Sequence, residues 1–269
     1  MVRFDRLREF VDRLHPSGLL YSTYEHRLVA ELDRNRLPQH VAVLADGNRR
    51  WARANAPGES LVAGYRAGAD KLMQFVDWCD EIGIPLVTLW VLSTDNFSRN
   101  STEQLRPLLE VIEQMVADMA ATRRWRVHLV GALDLLPAES AQRMKASART
   151  TDDVSGLLVN VAVSYGGRHE LRDAVRSLLA EHARAGTPIE ELAETLEIEH
   201  IAEHLYTRGQ PDPDLIIRTS GEQRLSGFLM WQSAHSEFYF CEALWPDFRK
   251  VDFIRALRSY GQRERRFGR

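Results

Sequence analysis

The sequence predicts an α/β protein: a mostly parallel sheet of about six strands, flanked by helices. Two observations carry that expectation. Short runs rich in β-branched and large apolar residues recur at Val41–Leu44, Pro85–Leu92, Trp125–Val130, Leu157–Val163, Leu215–Ile217 and Glu237–Phe240, and most of the stretches between them carry apolar residues at helical spacing. Several of the apolar runs also stop abruptly on polar residues and glycine, as strands do when they deliver side chains to a ligand at one edge of a doubly wound sheet. No internal repeat or low-complexity block interrupts the pattern.

Ahead of the first strand, Phe4, Leu7, Phe10, Val11 and Leu14 fall at helical spacing, and Pro16-Ser17-Gly18 separates them from a second amphipathic segment over about 19–32. Residues 1–37 are therefore expected to form a helical extension of one domain spanning 1–269. Its apolar stripe is a packing face on the ordinary reading, and a site of transient membrane or partner contact on the other. A chain of 269 residues with 44% hydrophobic and 27% charged residues can bury a large core without staples. Cys79 and Cys241 are its only cysteines, which excludes a disulfide framework or a cysteine-rich zinc site and fits the cytoplasm. No segment approaches the roughly 20 apolar residues that span a bilayer. A net charge of -3 supplies no general field for nucleic acid, so the arginines are interpreted locally.

Three strand ends concentrate the chemistry. The first runs from Val41-Ala42-Val43-Leu44 through Ala45 into Asp46-Gly47-Asn48-Arg49-Arg50-Trp51. There a carboxylate can hold Mg²⁺ while backbone amides and guanidinium groups grip phosphate; an ordinary helix N-cap is the competing reading of Asp46. The second places Ser93-Thr94-Asp95-Asn96-Phe97-Ser98-Arg99 directly after Leu89–Leu92. Ser93 and Asn96 are placed to orient Asp46 or accept a proton and Arg99 to reach a phosphate, although Ser-Thr-Asp-Asn is also common turn chemistry. The third ends on Arg218, with Arg224, Leu225 and Ser226 in the loop behind it. Forked, permanently charged guanidinium groups beside a hydroxyl suit a diphosphate. The apolar helical run from Leu105 to Met119 is either plain core or the wall of a hydrocarbon slot.

The strings His40-Val41-Ala42-Val43 into Asp46-Gly47-Asn48-Arg49-Arg50-Trp51-Ala52, Ser93-Thr94-Asp95-Asn96, Tyr165-Gly166-Gly167-Arg168, Ile217-Arg218-Thr219-Ser220-Gly221-Glu222 and Arg263-Glu264-Arg265-Arg266-Phe267-Gly268 resemble the cis-prenyltransferase family. The likeness covers about Pro38 to Gly268. It implies a homodimer with an elongated hydrophobic tunnel, which condenses isopentenyl diphosphate onto an allylic diphosphate with Mg²⁺ and sets a Z double bond. It makes Asp46 the catalytic carboxylate and metal ligand and Asn96 the proton acceptor. Gly47, Asn48, Arg49, Arg50 and Trp51 would form the allylic diphosphate cradle, with Ser93, Thr94, Asp95, Phe97 and Arg99 on the loop beside it. Arg218, Arg224, Leu225 and Ser226 match the isopentenyl diphosphate site, Glu237 a metal-site carboxylate, and Arg266 and Gly268 a tail that crosses to a neighbour's site.

In such chemistry Mg²⁺ and arginines stabilise charge gathering on the departing diphosphate, and a single carboxylate is enough because phosphate oxygens and water complete the metal's shell. Asp-rich repeats of the trans-prenyltransferases are absent. Departures touch the details. Tyr65, at the cradle, stands where long-chain members commonly have His, Leu61 where they often have Arg, Arg49 where Gly is frequent, and Gln223 where a His may help bind metal. Val91 replaces a small residue at the tunnel wall and takes volume an extending tail would occupy. The expected product is therefore short, with (2Z,6E)-farnesyl diphosphate ahead of a medium- or long-chain carrier lipid precursor. A non-catalytic partner subunit of the same fold is the alternative from another class, opposed by Asp46.

Overall fold

The computed structural model describes residues 27–58, 60–99 and 102–263, and the side chains of these except 97–99 and 102–104. The amphipathic segment over 4–14, the tail residues Arg266 and Gly268, and the side chains of Phe97 and Arg99 lie outside that description. By contacts the chain separates into two compact units, residues 38–248 and a smaller one of 27–37 with 249–263.

The larger unit holds all six strands: β1 (His40–Leu44), β2 (Leu86–Trp90), β3 (Arg126–Val130), β4 (Leu158–Ala162), β5 (Leu215–Arg218) and β6 (Glu237–Phe240). They line up in the order β3-β4-β2-β1-β5-β6, and every pair is parallel. The chain leaving β1 goes to β2 on one side, whereas the chain leaving β5 goes to β6 on the other. The carboxyl ends of β1 and β5 therefore flank a topological switch point, where open parallel sheets form their ligand crevice.

The central parallel strands are covered on both faces, which explains their largely apolar character, whereas the edge strand β3 leaves Arg126 and His128 exposed. Val41, Val43, Val87, Leu89, Val159 and Val161 form one face and are fully buried, each removal from water contributing about 1.5–3 kcal/mol. On the other face Ala42, Leu44, Ala162 and Ile216 pack with Tyr165, Phe228 and Leu229. That face also carries a polar row. His40 Nδ1 lies 2.8 Å from the Pro211 carbonyl and so must carry the proton. Its Nε2 then accepts from the Thr88 hydroxyl at 2.8 Å, whose oxygen accepts from Asn160 Nδ2 at 3.0 Å. Burial holds this imidazole neutral, with its pKa down at about 4.

Helices fill the crossovers: α1 (Asn48–Asn55) and α2 (Val62–Ile82) after β1, α3 (Thr94–Arg99) and α4 (Thr102–Ala121) after β2, α5 (Ala138–Arg149) after β3, and α6 (Gly167–Ala185), α7 (Ile189–Thr195) and α8 (Ile198–Ala202) after β4. In α2 the buried positions Leu72, Phe75, Val76, Cys79 and Ile82 follow the helical period and face the core. In the smaller unit, Leu28 packs with Val251 and Ile254 of α9 (Lys250–Gln262), and Arg258 pairs with Glu31 at 3.4 Å. Among the described residues no helix is long and apolar enough to cross a membrane, and both cysteines are free.

Candidate active site

Asp46 sits two residues beyond β1, and its backbone is held independently of its carboxylate. Its N–H donates to the Thr219 hydroxyl at 3.1 Å, and that hydroxyl donates to the Asp46 carbonyl at 2.8 Å. The same carbonyl accepts the Trp245 N–H at 2.9 Å. Gly47, with φ at +113°, turns the chain into α1 and is itself the N-cap. A β-carbon there would lie 2.9 Å from Leu244, so both the dihedral and the space require glycine. Because Gly47 offers no capping side chain, the first-turn amides of α1 stay open to an anion. The N-cap reading of Asp46 is thereby excluded.

The carboxylate is instead gripped by arginines. Arg218, the last residue of β5 and only 4% exposed, donates from Nη2 to Asp46 Oδ2 at 3.0 Å. Its Nη1 donates to Ser226 Oγ at 3.0 Å and to the Arg224 carbonyl. One planar fork therefore ties the β1 end to the 224–226 loop. Arg50 approaches the other oxygen, Oδ1, at 3.7 Å and donates to the Ser220 carbonyl at 3.4 Å. The Asp46 side chain remains 40% exposed, so it is accessible to a ligand.

Asn48 follows Gly47 as the first residue of α1. Its side chain turns inward, where a β-carbon on Gly68 would lie 2.5 Å from Oδ1, and that buried oxygen has no partner. The residue buttresses α1 against α2 and offers the cradle its backbone N–H. Arg49 and Arg50 are exposed at the first turn. Trp51 is fixed by an Nε1 bond to Asp247 at 2.8 Å. Tyr65 is buried next to Arg49: burial pushes the phenol pKa up and the guanidinium opposes it.

Ser93, Thr94 and Asn96 stand at the β2 end, where the Asn96 N–H donates to Ser93 Oγ at 3.2 Å; Asp95 is exposed. Val91, immediately after β2, is half-buried, and its N–H donates to Ala162 O at 3.1 Å. Arg224 is exposed and paired with Glu222, and Leu225 packs on the Phe228 cluster.

Glu237 does not join this site within one chain. It opens β6 in register with Leu215 and Val41, whereas Asp46 lies past the opposite end of the strands. Asp46 is five residues further along than Val41, and with two strands across the two α-carbons lie about 15 Å apart or more. Consistently, no group of three or more His, Cys, Asp or Glu among the described residues could hold a metal. A single carboxylate beside an anion cradle fits Mg²⁺ all the same, since a diphosphate brings most of the oxygen ligands.

Sequence reasoning missed Thr219, which locks Asp46. It also missed Ser220, which holds a strained φ of +80° with a buried, partnerless hydroxyl. Neither a threonine nor a serine in a strand-end loop signals such a role; only the pairing of β1 with β5 creates it.

The undecaprenyl diphosphate synthase family model matches residues 44–268. The chain belongs to that family, the cis-prenyltransferases. It is 62% identical over 249 residues, 93% of this chain and 97% of the relative, to the (2Z,6E)-farnesyl diphosphate synthase of Thermobifida fusca. It is 51% identical over 253 residues, 93% of this chain and 96% of the relative, to the short-chain Z-isoprenyl diphosphate synthase of Mycobacterium bovis. Among solved structures, lavandulyl diphosphate synthase from Lavandula x intermedia, in complex with dimethylallyl diphosphate, matches at a TM-score of 0.79 and 30% identity, covering 87% of this chain and 100% of that one. The expectations of family, α/β fold and a mostly parallel sheet of about six strands hold, and the six strands are parallel throughout. In this cis-prenyltransferase, the carboxyl ends of β2, β1 and β5 lie side by side.

Proposed function

We propose that this chain is a Mg²⁺-dependent Z-isoprenyl diphosphate synthase that joins isopentenyl diphosphate to a geranyl or farnesyl primer and releases a short product, with (2Z,6E)-farnesyl diphosphate first. The observation that carries this reading is the buried Arg218 fork, which links Asp46 to Ser226 across the switch point. Two sites for phosphate follow from it. The open amides of α1 with Arg49 and Arg50 take the allylic diphosphate, while Arg218, Arg224 and Ser226 take that of isopentenyl diphosphate.

Mg²⁺ at Asp46 would offset charge on the departing diphosphate. Arg50 and Arg218 are already aimed at the same region and need no reorganisation as that charge develops. As the allylic C–O bond breaks, the isopentenyl double bond supplies the electrons of the new C–C bond, and the proton lost from isopentenyl C2 goes to the Asn96 loop. Between α2 and α4 lies an open cleft of about 520 Å³, lined by Val62, Met73, Val111 and Met115 together with Arg66, Asp70, Glu110, Gln114 and Asp118. Its volume is of the order a short hydrocarbon tail needs, although its lining is only partly apolar.

We assign the working unit as a homodimer in the cytoplasm. Strand β6 is the sheet's edge, and it stacks Phe238 on Phe240 at 6.3 Å, with Phe240 40% exposed. As an outermost strand among the described residues, β6 is where a second copy would meet this sheet.

The test is incubation with isopentenyl diphosphate, geranyl diphosphate and Mg²⁺, with product length by mass spectrometry and double-bond geometry by NMR. A Z-configured short product is expected, lost on chelation of Mg²⁺ and in Asp46→Ala, whose far-ultraviolet circular dichroism should match wild type. Full turnover by Asp46→Ala would remove this carboxylate from the reaction.

A further inference from the structure

Tyr165-Gly166-Gly167-Arg168 has no task in the chemistry above, although Tyr165 is fully buried and the segment joins β4 to α6. It lies between the two loops that carry that chemistry. On one side Ser93 and Tyr165 form an isolated parallel bridge. The Tyr165 carbonyl accepts the Thr94 N–H at 3.0 Å, and the Tyr165 N–H donates to Leu92 O at 3.0 Å. The Thr94 hydroxyl and His169 Nδ1 share a further hydrogen bond at 3.3 Å. On the other side, the Gly167 N–H donates at 2.9 Å to the carbonyl of Gly227, the residue after Ser226.

Neither contact leaves room for a side chain. A β-carbon on Gly166 would stand 2.4 Å from Thr94 Oγ1 and 3.4 Å from His169 Nδ1, and one on Gly167 would stand 2.4 Å from Gly227 O. Beneath them the Tyr165 hydroxyl donates to Glu170, whose other oxygen accepts from Gln232 Nε2 at 3.1 Å. This anchors the far end of the loop that begins at Arg224.

We infer that residues 165–170 are a common fixture setting the distance between the Asn96 loop and the isopentenyl diphosphate site, and that His169 is a positioning residue acting through Thr94. The inference rests on the function proposed above. Isopentenyl diphosphate has only five carbons, so its diphosphate must be held by Arg218 and Ser226 while its C2 proton faces the Asn96 loop. Both contacts have to be met at once, and a misplacement of about 1 Å costs on the order of 10²-fold in rate. Thr94 is the first residue of α3, two positions before Asn96, so its hydroxyl fixes where that helix starts. The ring of His169 braces the hydroxyl.

The experiment compares steady-state kinetics of wild type, His169→Asn, His169→Gln and His169→Phe with isopentenyl and geranyl diphosphates, alongside their melting temperatures. An asparagine amide reaches the position of Nδ1, whereas a glutamine amide reaches that of Nε2. His169→Asn should keep kcat within about threefold of wild type, and His169→Gln and His169→Phe should lose about tenfold or more in kcat with KM for isopentenyl diphosphate within about twofold. If His169→Phe does not fold, the Asn and Gln pair decides alone. Gln and Phe variants within threefold of wild type, an Asn variant that falls with them, or a loss confined to KM would overturn the inference. An inactive wild type would overturn the proposed function as well, whereas an active wild type with indifferent His169 variants overturns only the positioning role.

Discussion

Replacing Arg218 by lysine keeps a positive charge at the end of β5 and removes the fork. In the native chain the guanidinium makes three bonds at once, to Asp46 Oδ2 at 3.0 Å, to Ser226 Oγ at 3.0 Å and to the Arg224 carbonyl. A lysine ammonium is a single nitrogen on a flexible stem and can satisfy one end of that span. At least one charge-assisted bond is lost, at about 1.5–3 kcal/mol, and a buried acceptor is left open at about 1–3 kcal/mol more. Water reaches the half-exposed Asp46 and restores part of this, leaving a net deficit of about 3–4 kcal/mol, equivalent to a 10²- to 10³-fold fall at 1.36 kcal/mol per decade. The assay is kcat/KM for isopentenyl diphosphate with geranyl diphosphate held saturating, measured beside the melting temperature. Arg218→Lys within fivefold of wild type would mean that charge alone suffices and that the planar geometry is incidental.

Val91→Ala should lengthen the product by at least one isoprene unit on mass analysis, because the half-buried Val91 follows the strand that leads to the reacting loop; an unchanged chromatogram would place length control elsewhere. His40, with a pKa of about 4 when folded against 6.5 for an ordinary exposed imidazole, stays neutral in the folded chain and binds a proton more readily unfolded. Its contribution to stability, up to about 3 kcal/mol, is therefore present above pH 6.5 and lost as pH falls toward 4, so urea midpoints should drop across that window in wild type and less in His40→Asn. Equal slopes in both would remove His40 as the cause.

The strands were legible because buried parallel strands leave an unmistakable record. Every residue from Val41 to Leu44 is apolar, and the observed β1 adds only His40, a polar residue whose burial depends on Thr88, 48 positions away. Long-range partnership of this kind leaves no local trace. Asp46 and Arg218 were each visible as a charge that ends an apolar run, but their mutual bond needs β1 and β5 to be neighbours, which is a property of topology. Asn48 and Glu237 were visible as polar residues within recognisable strings, but neither the inward turn of Asn48 against Gly68 nor the place of Glu237 at the start of β6 has a local signal.

A single carboxylate among arginines suits the proposed reaction better than several would. Asp46 is met by two guanidinium groups, so the trio carries a net positive charge and draws in a diphosphate before any metal is fixed. On the proposed function, phosphate oxygens would take Arg50 and Arg218, and the carboxylate so released would be free to hold Mg²⁺. The Thr219 hydroxyl fixes the Asp46 backbone independently of its side chain, so such an exchange need not move the chain. Further acidic residues at this point would repel the incoming anion, and the single acid between two arginines follows from the abutment of β1 and β5.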